Sequence, residues 1–165
     1  LIDNEYIKHL SWDRVKYFIT HFYYGNYHPI TMITYLLEYH FYKLDPFPFH
    51  KHNLIMHLLN TAVVYYLIYK LSGRKDIALI VTLLFGVHPM RTESVAWVSE
   101  RKDVLFCFFY LLSLIFYIDY VRKTKGKSKN YFLVILFFML SLVSDILELS
   151  NTSQIRFSIL EDFNL

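Results

Sequence analysis

The chain alternates long uncharged stretches with short charged ones. Asn53 to Leu71 carries no charge until Lys70. Val104 to Ile118 is uncharged, and Asp119 to Arg122 closes it. Tyr131 to Ser144 is uncharged, and Asp145 and Glu148 follow. Ile77 to Val87 is the weakest run, because Pro89 interrupts it. These runs are apolar all round rather than striped, as expected of helices that meet hydrocarbon. A helix needs about 20 mostly apolar residues to cross a bilayer core of about 30 Å. The pattern therefore predicts four transmembrane helices within 53–148, at about 53–71, 74–89, 103–121 and 130–148.

The stretch before them, 1–52, reads differently. Ser11 to Tyr24 is amphipathic, with Ser11 as N-cap and Arg14 and Lys16 opposite Trp12, Val15, Phe18 and Ile19. Gly25-Asn26 breaks it. His28 to Leu44 predicts a second helix with Pro29 in its first turn, and Asp45-Pro46-Phe47-Pro48 ends it. Both helices are rich in Tyr and Phe, which suits the headgroup region. The predicted fold class is all-α: a polytopic helical membrane protein whose external N-terminal segment carries two amphipathic helices. The polar tail 149–165 diverges from this pattern.

Composition supports a membrane class. Of 165 residues, 55% are hydrophobic and 19% aromatic, more than a small soluble core can bury. Charged residues make up 19%, below the roughly 25% of soluble domains. Disordered, collagen-like and disulfide-scaffold classes are excluded. The net charge of +3 is too weak to argue for nucleic acid, but its distribution orients the chain. Arg122 to Lys129 holds five Lys/Arg and no acid, and Arg74 and Lys75 occupy the connection 72–76. Those two connections are expected on the cytoplasmic side. The segment 1–52 and the connection 89–103 then face outside. Arg91, Arg101 and Lys102 on that outer connection run against the trend, and an anionic ligand is a reason for them.

Other chemistry is sparse. Arg and Lys can hold a phosphate by charge-assisted hydrogen bonds, and solvated charges at a helix start are the plainer reading of residues 100–103. If the stretch after Pro89 is helical, Glu93, Trp97 and Arg101 share a face. Seven of the eight histidines fall within residues 1–57, and His50 and His52 lack the acid or cysteine of a tetrahedral metal set. Cys107 sits among phenylalanines as packing or lipid-facing. No zinc-spacing motif, phosphate-binding glycine loop or nucleophile elbow is present, and no metal is expected.

Four blocks resemble a known family: YGNYHPITMITYLLEY (24–39), LDPFPFHKHNLIMHLLN (44–60), LLFGVHPMRTESVAWVSERKDVLF (83–106) and the run ending LSLVS (140–144). Together they resemble the membrane part of the transmembrane and tetratricopeptide-repeat-containing proteins, within the GT-C superfamily of protein O-mannosyltransferases. The resemblance spans roughly residues 10–144 and is most specific in the third block. It implies transfer of a sugar, typically mannose, from a polyprenyl or dolichyl phosphate carrier to a protein hydroxyl. Arg91, Arg101 and Lys102 correspond to donor-phosphate contacts. His28, His88, Glu93, Trp97 and Asp103 are carried over as motif or substrate-site residues. Asp3 is the candidate catalytic base, as the surviving member of the family's acidic pair, unless DNEYIKHLSW is the stretch downstream of that pair. Partners implied are membrane lipid, the lipid-linked sugar and an acceptor protein, without nucleic acid; no cofactor is implied, the lipid-phosphate donor being substrate. An earlier transmembrane helix is expected before Leu1, and the chain is expected to be a membrane-domain fragment inactive alone. The alternative is a non-catalytic membrane anchor or interaction protein. The membrane would be the bacterial inner membrane or the endoplasmic reticulum, with the site periplasmic or lumenal.

The orientation is testable by cysteine labelling in a Cys107→Ser background. A membrane-impermeant maleimide applied from the outer side should label Ala96→Cys and leave Thr124→Cys unlabelled until the membrane is opened. The reverse pattern inverts the topology.

Overall fold

In a computed structural model, residues 10–21, 27–43, 45–89, 95–122 and 127–144 are described. Among them there are helices and no strand: α1 Trp12–Thr20, α2 Pro29–Tyr42, α3 Pro46–Ser72, α4 Lys75–Gly86, a 3-10 turn Val98–Glu100, α5 Arg101–Arg122 and α6 Lys127–Ser144. They fall into two compact units, one of residues 1–43 and 143–165 and one of residues 44–142.

In the first unit, α1 starts where its cap predicts. The Ser11 side chain accepts from the Arg14 N–H at 3.4 Å. The helix ends at Thr20, short of Tyr24, because His21 is extended (φ −125°, ψ 148°). Thr20 Oγ1 turns back to the Lys16 carbonyl at 2.9 Å. The expected apolar face is divided: Phe18 is buried, whereas Trp12 and Ile19 are exposed. Helix α2 begins at Pro29, whose missing N–H costs nothing in a first turn. It ends at Tyr42, and Lys43 follows with a positive φ of 58°.

The second unit is built on α3. Asp45 caps it through the Phe47 N–H at 3.1 Å, and Pro46 opens it. The prolines expected to end the preceding helix thus start this one, so α3 begins seven residues before Asn53 and runs for 27 residues. At 1.5 Å rise that is about 40 Å, enough to cross a bilayer. Gly73 ends it in the left-handed conformation (φ 69°), which a glycine adopts without a Cβ penalty. Beyond the turn, the guanidinium of Arg74 pairs with Asp76. That pairing holds the Asp76 carboxyl below its ordinary range and raises Arg74.

Helix α4 returns antiparallel along α3. His57 Nε2 donates to the Gly86 carbonyl at 3.1 Å, and its ring stacks on Phe85. Ala78 and Thr82 are buried, and Gly86 continues their four-residue spacing. Small residues on one face let helices approach closely. At 12 residues α4 is about 18 Å long, shorter than the expected 74–89 and too short to cross a bilayer by itself.

Helix α5 runs parallel to α3. Asn60 Nδ2 donates to the Val104 carbonyl at 2.9 Å near its start. Near its end, Lys70 pairs with Asp119 at 2.7 Å and Arg122 donates to the Lys70 carbonyl at 2.6 Å. Helix α6 packs antiparallel on α5. The Tyr120 and Tyr131 rings lie 5.8 Å apart at one end and Phe109 and Phe137 stack at 6.4 Å toward the other, with Ser113 Oγ donating to the Val134 carbonyl at 3.1 Å.

The distribution of polar and apolar groups is inverted relative to a water-soluble bundle. On α3, Asn53, His57 and Asn60 are buried while Leu54, Ile55, Leu58 and Leu59 are exposed. On α4, Leu79, Ile80, Leu83 and Leu84 are exposed. A contiguous leucine surface of this kind is what lipid covers. Helices α3 and α5 are both long and apolar enough to cross a membrane.

The close approach at Gly86 can be probed. A Cβ there would lie 3.3 Å from Thr61 Cγ2. Gly86→Leu is expected to push α4 off α3 and lose about 1–3 kcal/mol, as overpacked interiors do. Reversible unfolding in mixed detergent micelles measures it; an unchanged midpoint would show that the contact is loose.

Candidate functional site

The third sequence block closes on the end of the second unit where α3 and α5 begin. Trp97 is extended (φ −92°, ψ 122°), and the short turn Val98–Glu100 leads from it into α5. The helix is therefore broken at Trp97. Trp97 and Arg101 do not share one helical face: Trp97 is 59% exposed and Arg101 only 2%.

Arg101 is held by α3. Its Nε donates to Asn53 Oδ1 at 2.7 Å and its Nη2 to the Phe49 carbonyl at 2.9 Å. Those partners are one helical turn apart, so one edge of the planar guanidinium spans that turn. The Phe49 ring lies 5.8 Å from the guanidinium carbon, within cation–π range. Asn53 is fully buried, and its amide faces both ways. While Oδ1 accepts from Arg101, Nδ2 donates to the Trp97 carbonyl at 3.1 Å. Lys102 and Asp103 follow in the first turn of α5, both half-buried. Asp103 there opposes the positive end of the helix dipole.

Of the residues singled out from sequence, Trp97, Arg101, Lys102 and Asp103 thus form one short segment tied to α3. His88 is exposed just beyond α4. His28 lies in the first unit as the N-cap of α2, without a side-chain cap bond. Asp3, Arg91 and Glu93 lie outside the described residues. No group of three metal-ligating side chains occurs among the described residues.

The sequence reading passed over Phe49 and Asn53. A signal existed: Asn53, His57 and Asn60 recur at i, i+4 and i+7, a polar stripe inside an apolar run. Polar groups inside a membrane helix face the protein and find partners there. Here all three side chains donate to backbone carbonyls of the neighbouring segments.

Comparison with known proteins finds relatives of one kind. The chain is 38% identical over 93 residues to human "Protein O-mannosyl-transferase TMTC1", covering 56% of this chain and 10% of that protein. It is 36% identical over 103 residues to Xenopus laevis "Protein O-mannosyl-transferase tmtc2", covering 62% and 12%. It is 31% identical over 135 residues to human "Protein O-mannosyl-transferase TMTC4", covering 72% and 18%. Over these stretches the chain is similar to the TMTC O-mannosyl-transferases. It spans between a tenth and a fifth of the length of these TMTC proteins. No protein-family model and no solved structure matches it.

The two buried asparagines of α3 should respond differently to substitution. Asn53→Leu removes two hydrogen bonds and leaves a buried Arg donor short of its acceptor, for an expected loss of about 1–3 kcal/mol. Asn60→Leu removes one bond to Val104 but also an Oδ1 atom that is buried without a partner. Its net effect should stay within about 1 kcal/mol. Unfolding midpoints of both variants decide; equal losses would refute this ordering.

Proposed function

We propose that this chain forms part of the donor site of a membrane glycosyltransferase. The enzyme would move a sugar, mannose by resemblance, from a polyprenyl or dolichyl phosphate to a protein hydroxyl. The observation that carries the reading is the adjacent cation pair Arg101 and Lys102 at the start of α5. It sits at the opposite end of α3 and α5 from the Lys70–Asp119 pair. A lipid phosphate needs cations at membrane depth, and half-buried Lys102 lies beside a guanidinium that Asn53 and Phe49 hold in place. Arg91 would add a third contact. The names of the TMTC relatives support a transferase role.

The mechanism follows from that chemistry. A carboxylate on the external segment, Asp3 in this reading, takes the proton of the acceptor hydroxyl. The oxygen attacks the anomeric carbon, inverting it, as the carbon–oxygen bond to the lipid phosphate breaks. Arg101, Lys102 and Arg91 take up the charge that develops on the leaving phosphate. His28, His88, Glu93, Trp97 and Asp103 would shape the substrate site. The proposed orientation keeps four membrane helices, with this end of the bundle lumenal or periplasmic. By itself the chain is not expected to transfer sugar.

A second reading has one observation in its favour. Arg101 is 2% exposed and its described hydrogen bonds tie α5 to α3, which is also what a non-catalytic membrane anchor would need. A full-length relative separates the two. Arg101→Lys at the matching position keeps the charge but not the two-pronged edge. Under the transferase reading it should abolish mannose transfer from dolichyl phosphate mannose, with the membrane-inserted amount unchanged. Wild-type transfer in that variant would remove the phosphate-contact role.

A further inference from the structure

Asn53 is fully buried. Yet its side chain bonds both to Arg101 and to the Trp97 carbonyl just before α5. Its amide leaves little freedom. Oδ1 is 2.7 Å from Arg101 Nε, and Nδ2 is 3.1 Å from the Trp97 carbonyl. Turning the amide over would set its NH2 against a guanidinium N–H and its oxygen against a carbonyl, losing both bonds. The orientation is therefore fixed by its two partners together. One of those partners is the cation; the other is the residue from which the turn into α5 departs.

Two consequences follow. The plane of the guanidinium is set by α3, through Asn53 and the Phe49 carbonyl one turn earlier. The start of α5 is also set by α3, because the Trp97 carbonyl is pinned to the same amide. A single rigid helix thus aims Arg101 and registers the segment that carries Lys102. Asn60, seven residues on, makes the same class of bond from α3 to α5 but touches neither.

We infer that Asn53 is a positioning residue for anion binding: acting through Arg101 and the Trp97 carbonyl, it orients the cationic start of α5 toward a lipid phosphate. The inference rests on the donor-phosphate reading above and adds the residue on which that reading depends.

The test uses the full chain in lipid nanodiscs, in a Trp12→Phe background so that Trp97 alone reports binding by its fluorescence. The probes are farnesyl phosphate and farnesol, which share a tail and differ in the phosphate. The parent chain is expected to prefer farnesyl phosphate. Asn53→Leu should lower that preference roughly tenfold, as expected for loss of a charge-assisted orienting bond, with farnesol binding unchanged. Asn60→Leu, which also deletes a buried α3–α5 bond, should keep the parent preference. If Asn53→Leu gives no folded protein, Asn53→Gln retains both groups on a longer arm and should lower the preference by displacing the guanidinium. Undiminished preference in the Asn53 variant overturns the positioning role alone. Equal loss in Asn60→Leu overturns it too, because any broken α3–α5 bond would then suffice. No preference in the parent chain overturns the donor-phosphate reading itself.

Discussion

A polar group facing hydrocarbon must find its partner inside the protein, and α3 is organised by that constraint. Its three buried polar side chains, Asn53, His57 and Asn60, each donate to a backbone carbonyl on a neighbouring segment. Two of those carbonyls, of Gly86 and Trp97, lie where a helix stops or a turn begins, where the backbone leaves acceptors unpaired. Side chains of one helix thus complete the ends of the next elements. The stripe also sets rotation, because any other turn of α3 about its axis would put an amide or imidazole into lipid.

The remaining packing follows from that choice. With the polar stripe turned inward, the leucines of α3 face outward, and small residues on α4 close the distance at Gly86. Hydrogen bonds within membranes contribute only about 0.6 kcal/mol each on average, so they specify the arrangement more than they stabilise it. Close packing and lipid exposure of the apolar surface supply the larger share. At the far end, Lys70, Asp119 and Arg122 fasten the ends of α3 and α5, where charged groups are nearest to water.

The same constraint explains the site. A charged guanidinium with 2% exposure is costly unless hydrogen-bonded, and α3 provides its bonds within one turn. Holding it there makes it rigid, and a rigid cation is more useful to a phosphate than a flexible one. The structural role of Arg101 and a role in anion binding are therefore compatible.

Much of this was legible in the residues. Uncharged runs ended by charges announced α3, α5 and α6, and Ser11 announced the start of α1. The block around Trp97 to Asp103 pointed to the family. Local pattern carries this information because apolar length and capping chemistry depend on near neighbours in sequence. Other features were decided only by tertiary structure. Pro46 opens a helix instead of ending one, because Asp45 caps the Phe47 N–H. The turn at Trp97 breaks a face that simple helical spacing would have joined. Phe49 and Asn53 became candidate-site residues only when α3 and α5 were laid side by side, since 52 and 48 positions separate them from Arg101 along the chain. A hydrogen bond across that separation depends on how two helices are rotated and shifted, which helical periodicity within each one leaves open.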